Sequence, residues 1–132
     1  MLAWLWAAPI TFIALPLAAI IHLFGGQIRS NGEAFEATGG CATQLLRLMN
    51  PWALVEAITL GHLIIARDID LANRLRSHEL VHVRQYQRWG VLFPFAYLAS
   101  SAWAALRGEC PYRGNVFERE AFTAALRCQV PR

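Results

Sequence analysis

The sequence predicts a small α+β domain, mainly helical, fronted by a hydrophobic helix. Three observations predict it. Leu2 to Phe24 is almost unbroken apolar, strand and turn signals are confined to the stretch from Gln27 to Ala66, and helical patterns fill most of the remainder. At 132 residues the chain holds about one domain around one core.

The N-terminal segment, residues 1–26, is the membrane candidate. Thr11 and His22 are the only clearly polar side chains between Leu2 and Phe24, and about twenty such residues suffice to cross a bilayer as a helix. Trp4 and Trp6 stand near one end, where interfacial aromatics belong. Pro9 and Pro16 are expected to kink the helix. A buried or surface-lying helix is the alternative. The first residues carry no Arg or Lys and precede no small-x-small cleavage site, which argues against a cleaved signal peptide. Arg29 and Arg47 follow the segment and nothing basic precedes it, so the positive-inside tendency places the rest of the chain, residues 27–132, in the cytoplasm.

Composition agrees with lipid contact: 56% of residues are hydrophobic and 16% charged, against roughly 25% charged in ordinary soluble domains. All twelve basic residues are arginines, scattered singly, with a net charge of +3. Nucleic-acid binding would need a clustered basic stripe or a reading motif, and neither is present. The mild positive balance suits an anionic membrane surface instead. Cys41, Cys110 and Cys128 cannot all pair, and their spacing matches no zinc knuckle or redox pair. They read as free thiols in a reducing compartment, with a Cys110 to Cys128 bridge as the alternative.

Within residues 27–132, Asn31-Gly32 marks a hairpin between Ile28-Arg29-Ser30 and Glu33-Ala34-Phe35-Glu36. Cys41 to Met49 predicts a short helix stopped before Pro51. Ala57 to Ala66, rich in β-branched residues, predicts one strand. Asp68 or Asp70 caps a helix that runs to Trp89 and ends at Gly90, with Leu71, Leu75, His78, His82 and Trp89 on one stripe. Val91 to Leu106 is apolar but too short to span upright, which predicts a buried or re-entrant helix ending by Gly108. A last helix covers Val116 to about Cys128.

His78, Glu79 and His82 form a His-Glu-x-x-His pattern. On a helix, side chains at i and i+4 stack one turn apart on one face, so both imidazoles reach one ion. Glu79 is rotated by about 100° from His78 and flanks the ion without ligating it. That is the position of a general base for water on zinc. A polar patch of two histidines is the bland alternative, but an unpaired imidazole on the apolar stripe would be costly.

A catalytic zinc takes three protein ligands and keeps one position open. The third must come from Asn115-Val-Phe-Glu118-Arg-Glu120-Ala. Phe117, Ala121, Ala124, Ala125 and Cys128 define the inner face of that helix, and Glu118 lies nearer to it than Glu120. Glu118 is therefore the expected ligand, with Glu120 as runner-up or as a support for a histidine N–H. Asn115 followed by Glu118 also fits a variant capping box, in which the carboxylate would turn back on its own helix. Tyr112, Arg113 and Tyr86 are candidate donors to a developing oxyanion. Gln85 shares the histidine face and is free to bind backbone. His22 and His62, lone histidines in apolar runs, are expected to be packed or interfacial.

His78-Glu-Leu-Val-His82-Val-Arg-Gln85, a hydrophobic insertion, and Asn115-Val-Phe-Glu118-Arg-Glu120-Ala121 resemble the gluzincin class of zinc metallopeptidases. Within that class the pattern is most similar to small bacterial membrane-associated proteins, and more distantly to membrane-embedded prenyl-protein and heat-shock proteases. The resemblance covers Ile58 to Ala125. It implies a zincin-like metal helix packed on the Glu118 helix, and an edge strand at Ile58 to Ala66 along which a peptide lies extended. The chain departs from the class four residues after each glutamate, where Phe122 and Ala124 replace a supporting acid or amide.

The expectation is a minimal, membrane-associated zinc metallopeptidase acting on a peptide or protein substrate, with His78, His82 and Glu118 on the metal and Glu79 as general base. One rival is a non-catalytic membrane subunit or assembly factor in a larger complex that keeps the fold. Another is an all-helical membrane protein in which the pentapeptide is accidental.

Overall fold

The computed structural model describes residues 2–51 and 55–129. Met1 and residues 130–132, at the outer ends of the two expected segments, lie outside the described residues. In chain order the elements are α1 (Leu2–Leu23), β1 (Gln27–Ser30), β2 (Phe35–Thr38), α2 (Ala42–Met49), β3 (Ala57–Leu60), β4 (Leu63–Ala66), α3 (Ile69–Trp89), α4 (Phe93–Leu106) and α5 (Val116–Gln129). The class is α+β, mostly helical, with one four-stranded sheet ordered β1-β2-β4-β3. The sheet removes the all-helical alternative.

Two strand expectations need correction. Ala57 to Ala66 is two antiparallel strands, with Leu60 paired to Leu63 and Gly61-His62 as the turn. Gly61 has φ 63°, which glycine adopts freely at the first turn position. A Cβ there would collide with the hydroxyl of Thr11 and sit 2.7 Å from its backbone nitrogen, so the turn also seats α1. The Asn31-Gly32 hairpin is real but pairs Ser30 with Phe35, leaving Glu33 and Ala34 in the turn. Asn31 Oδ1 accepts from the Glu33 and Ala34 amides at 3.0 and 2.8 Å, which widens the loop to four residues.

Sheet order follows from burial. β4 is fully buried, Leu63 and Ile65 facing α1 and α2 while Ile64 faces α3. A strand covered on both faces carries a continuous apolar run, which is why its sequence shows no alternation. It pairs with β2 in parallel, and the required crossover passes through α2 and β3. β3 is left at the edge.

On one side of the sheet Ala14, Ala18 and Ile21 of α1 pack with Ala37, Ala42, Leu46, Leu63 and Ile65. A second cluster joins Ala7 of α1 to Tyr86, Phe93 and Phe117. On the far side Arg76 of α3 reaches Glu36 of β2 through two bonds of 2.7 and 2.8 Å. Those bonds, against the opposing effect of burial, hold the Glu36 carboxyl below its ordinary value.

α3 begins at Asp68, whose carboxylate accepts from the Leu71 amide at 2.9 Å. It ends at Gly90, which lies so close to the Trp6 ring that a Cβ would overlap it. Leu71, His78 and His82 are buried as the stripe predicts, but Trp89 at its end is 40% exposed. Of the two alternatives for α4, buried or re-entrant, the buried one does not hold. Only Phe93 and Ala104 are buried, so the helix is an exposed apolar one. On α5, Phe117, Glu118 and Ala121 face inward, while Ala124 and Ala125 are half-buried and Cys128 is exposed. All three cysteines are free.

Candidate metal centre

The capped start of α3 sets the phase that puts His78 and His82 on its inner face. Their Nε2 atoms stand 3.2 Å apart. Glu118 arrives from α5, with Oε2 3.1 Å from His78 Nε2 and Oε1 3.3 Å from His82 Nε2. All three residues are buried. Asn115 Oδ1 caps α5 by accepting from the Phe117 amide at 2.9 Å, so Glu118 is free of the capping role and turns into the site.

Gln85 settles the tautomer of His82. Its Nε2 donates to the Phe117 carbonyl at 3.0 Å and to Glu120 Oε2 at 2.9 Å, so both donors are engaged with oxygens. Gln85 Oε1 therefore faces His82 Nδ1 at 2.8 Å as acceptor, and Nδ1 carries the proton. His82 Nε2 is left with its lone pair toward Glu118. Glu120 thus supports the histidine through Gln85 and does not touch the ring.

Two imidazole nitrogens and a carboxylate converging in a buried space are acceptors facing acceptors, an arrangement that asks for positive charge between them. Glu118 Oε2 is buried without a hydrogen-bond partner. Bonds of about 2.1 Å to nitrogen and oxygen in a tetrahedron would separate ligand atoms by about 3.4 Å, close to the 3.1 to 3.3 Å found. The group can hold a metal ion. Burial alone would push the Glu118 carboxyl up, but positive charge at His78 and His82, carried by ring protons or by a cation in their place, and the Tyr97 hydroxyl outweigh it. The carboxyl is held well below the usual range and is ionised at neutral pH.

Glu79 sits beside the ligands, buried, with Oε2 accepting from Thr59 Oγ1 of β3 at 2.6 Å. Both it and the three ligands line a cavity of about 710 Å³ walled mainly by apolar residues of α2, β3, α3 and α4. Tyr112 and Tyr86 also line it, but Arg113 does not and is exposed. Burial, then the Glu118 carboxylate, push the Tyr112 phenol up, so it remains a proton donor.

Two participants have no place in the expectations from sequence. Tyr97 Oη donates to Glu118 Oε1 at 2.6 Å, and Thr59 holds Glu79. The available signal for the first was a lone phenol in an otherwise apolar block, since a buried hydroxyl needs a partner. Phe122, at the position of the missing supporting acid, packs edge-on against His78 with ring centres 4.7 Å apart. His62 is packed as expected, stacked on Trp4 and bonded to Thr11 at 3.0 Å. His22 is exposed, with Nδ1 near the Gly26 carbonyl.

No family model matches the chain, and no curated protein or solved structure matches it either.

Proposed function

We propose that the chain is a gluzincin-type zinc peptidase acting on membrane-proximal peptide segments. The observation that carries this reading is the buried Glu118 carboxylate, its Oε2 without a hydrogen-bond partner, facing two imidazole nitrogens beside Glu79 on the wall of an apolar cavity. Two imidazoles, one carboxylate and an open side toward the cavity form the donor set of a catalytic zinc site. When bound there, zinc would make water acidic enough to react near neutral pH and polarise the scissile carbonyl.

Glu79 accepts the proton of the attacking water and delivers it to the leaving amine nitrogen, so the carboxylate is regenerated in each cycle. Thr59, by occupying Oε2, leaves Oε1 for that proton. Tyr112 is the donor for the carbonyl oxygen as it gains charge, being protonated and on the cavity wall. β3, at the sheet edge and on the same wall, offers unpaired backbone to an extended peptide. Leu98 lines the cavity and is 66% exposed on α4, which supports entry of a segment lying at a lipid surface.

Phe122 against His78 favours a second reading, a non-catalytic membrane subunit in which the metal serves the fold. Glu79→Gln separates the two. With zinc content and cleavage of a peptide library both measured, the variant should keep its zinc and lose cleavage by at least about a hundredfold. Unchanged cleavage, or purified protein with no bound zinc, would remove the peptidase assignment.

A further inference from the structure

α1 carries no Asp, Glu, Lys or Arg, and neither does the stretch from Val91 to Leu106. Their few hydroxyls point into the protein. Thr11 bonds Ala7 and His62, Ser100 accepts from the Val116 amide, Ser101 accepts from Asn115, and Tyr97 bonds Glu118. What remains outside is apolar: Leu5, Phe12, Ile13 and Leu15 on α1, and Phe95 and Leu98 on α4, each more than 40% exposed. The turn Gly90–Leu92, packed against Trp6 and exposing Val91 and Leu92, joins the two faces into one surface. A protein partner is recognised through about one hydrogen bond per 100–200 Å². Apart from the exposed indoles of Trp4, Trp6 and Trp103 and the ring of His22, this surface offers none, which fits the headgroup–acyl boundary of a bilayer, where such amphipathic rings collect.

Length alone allows α1 to stand upright across a bilayer. Its packing opposes that. α3 and the sheet cover one side of α1 from Trp4 to Ile21, and that cover exposes Arg29, Arg84 and Arg88. An upright α1 would carry these charges into hydrocarbon. We infer that α1 lies in the plane of one leaflet, with lipid on one flank and the folded domain on the other, and that α4 enters the same leaflet. A helix apolar all round is what those two covers require.

Spin labels at Leu5→Cys, Ile13→Cys and Ile20→Cys, with Cys41, Cys110 and Cys128 replaced by Ser, read the depth of α1 in phosphatidylcholine–phosphatidylglycerol vesicles. All three should report similar, shallow depths below the headgroups. Ile13 near the bilayer centre with Leu5 and Ile20 toward opposite headgroups would overturn the in-plane placement. Labels that stay in water, with the chain self-associated instead, would overturn lipid contact altogether. For α4, Phe95→Glu with Leu98→Glu should weaken vesicle partitioning at least tenfold while the helical circular dichroism is kept. Unchanged partitioning would remove α4 from the contact.

Discussion

Gln85 decides which nitrogen of His82 faces Glu118, because its amide donors are already committed to Phe117 and Glu120. Partners of this kind hold ligand rings in place, and losing one typically weakens metal binding about 10–100-fold. Gln85→Leu is therefore expected to lower zinc affinity by that factor in a competition titration, while Arg113→Ala leaves it unchanged. Equal losses in both variants would mean a general effect on folding. At this scale the sequence was partly legible. Helical phase separated Glu118 from Glu120, since an inner face can be counted from Phe117 and Ala121. The partners of Thr59 and Tyr97 were not legible, because each meets its carboxylate across 20 or 21 positions of chain through tertiary approach alone.

Between elements, the hidden hairpin of β3 and β4 shows what apolar pattern conceals. β-branched residues on both sides of Gly61 read as one strand, and only the glycine, with φ 63°, marks the reversal. Gly61→Ala meets both a left-handed backbone, worth about 1–2 kcal/mol, and the backbone of Thr11. Its denaturation midpoint should fall by more than the left-handed term alone explains; a loss below about 1 kcal/mol would mean that α1 shifts freely. The Arg76–Glu36 contact between α3 and β2 adds a pH dependence. Glu36 is held below its ordinary value by Arg76, so its contribution is complete above the usual carboxylate range. That contribution is lost as pH falls through the lowered folded value. Urea titrations from neutral to acid pH should show a steeper acid decline in the wild type than in Glu36→Gln, and parallel curves would exclude the pair as the cause.

Across the whole molecule, the fold class was readable because the apolar leader, the strand-rich middle and the helical remainder occupy separate blocks of sequence. The parallel pairing of β2 with β4 was not, since no local signal specifies a crossover. The metal centre lies between two helices from separate parts of the chain, α3 and α5. α3 and α5 meet through a small cluster of Tyr86, Phe93 and Phe117, and α4 beside them is largely exposed. His78, His82 and Glu118 would then act as a crosslink between helices whose ligands stand 36 positions apart from His82 to Glu118. A cation at a hundredfold its dissociation constant stabilises the folded state by about 2.7 kcal/mol, which for a chain of this size moves the melting midpoint by roughly 10 °C. Chelation in a fixed lipid or detergent environment should produce that drop, with amide exchange rising first in α5 and not in the sheet. The double variant His78→Ala with His82→Ala should melt at one temperature with or without chelator. A chelator effect of equal size in that variant would place the bound ion elsewhere.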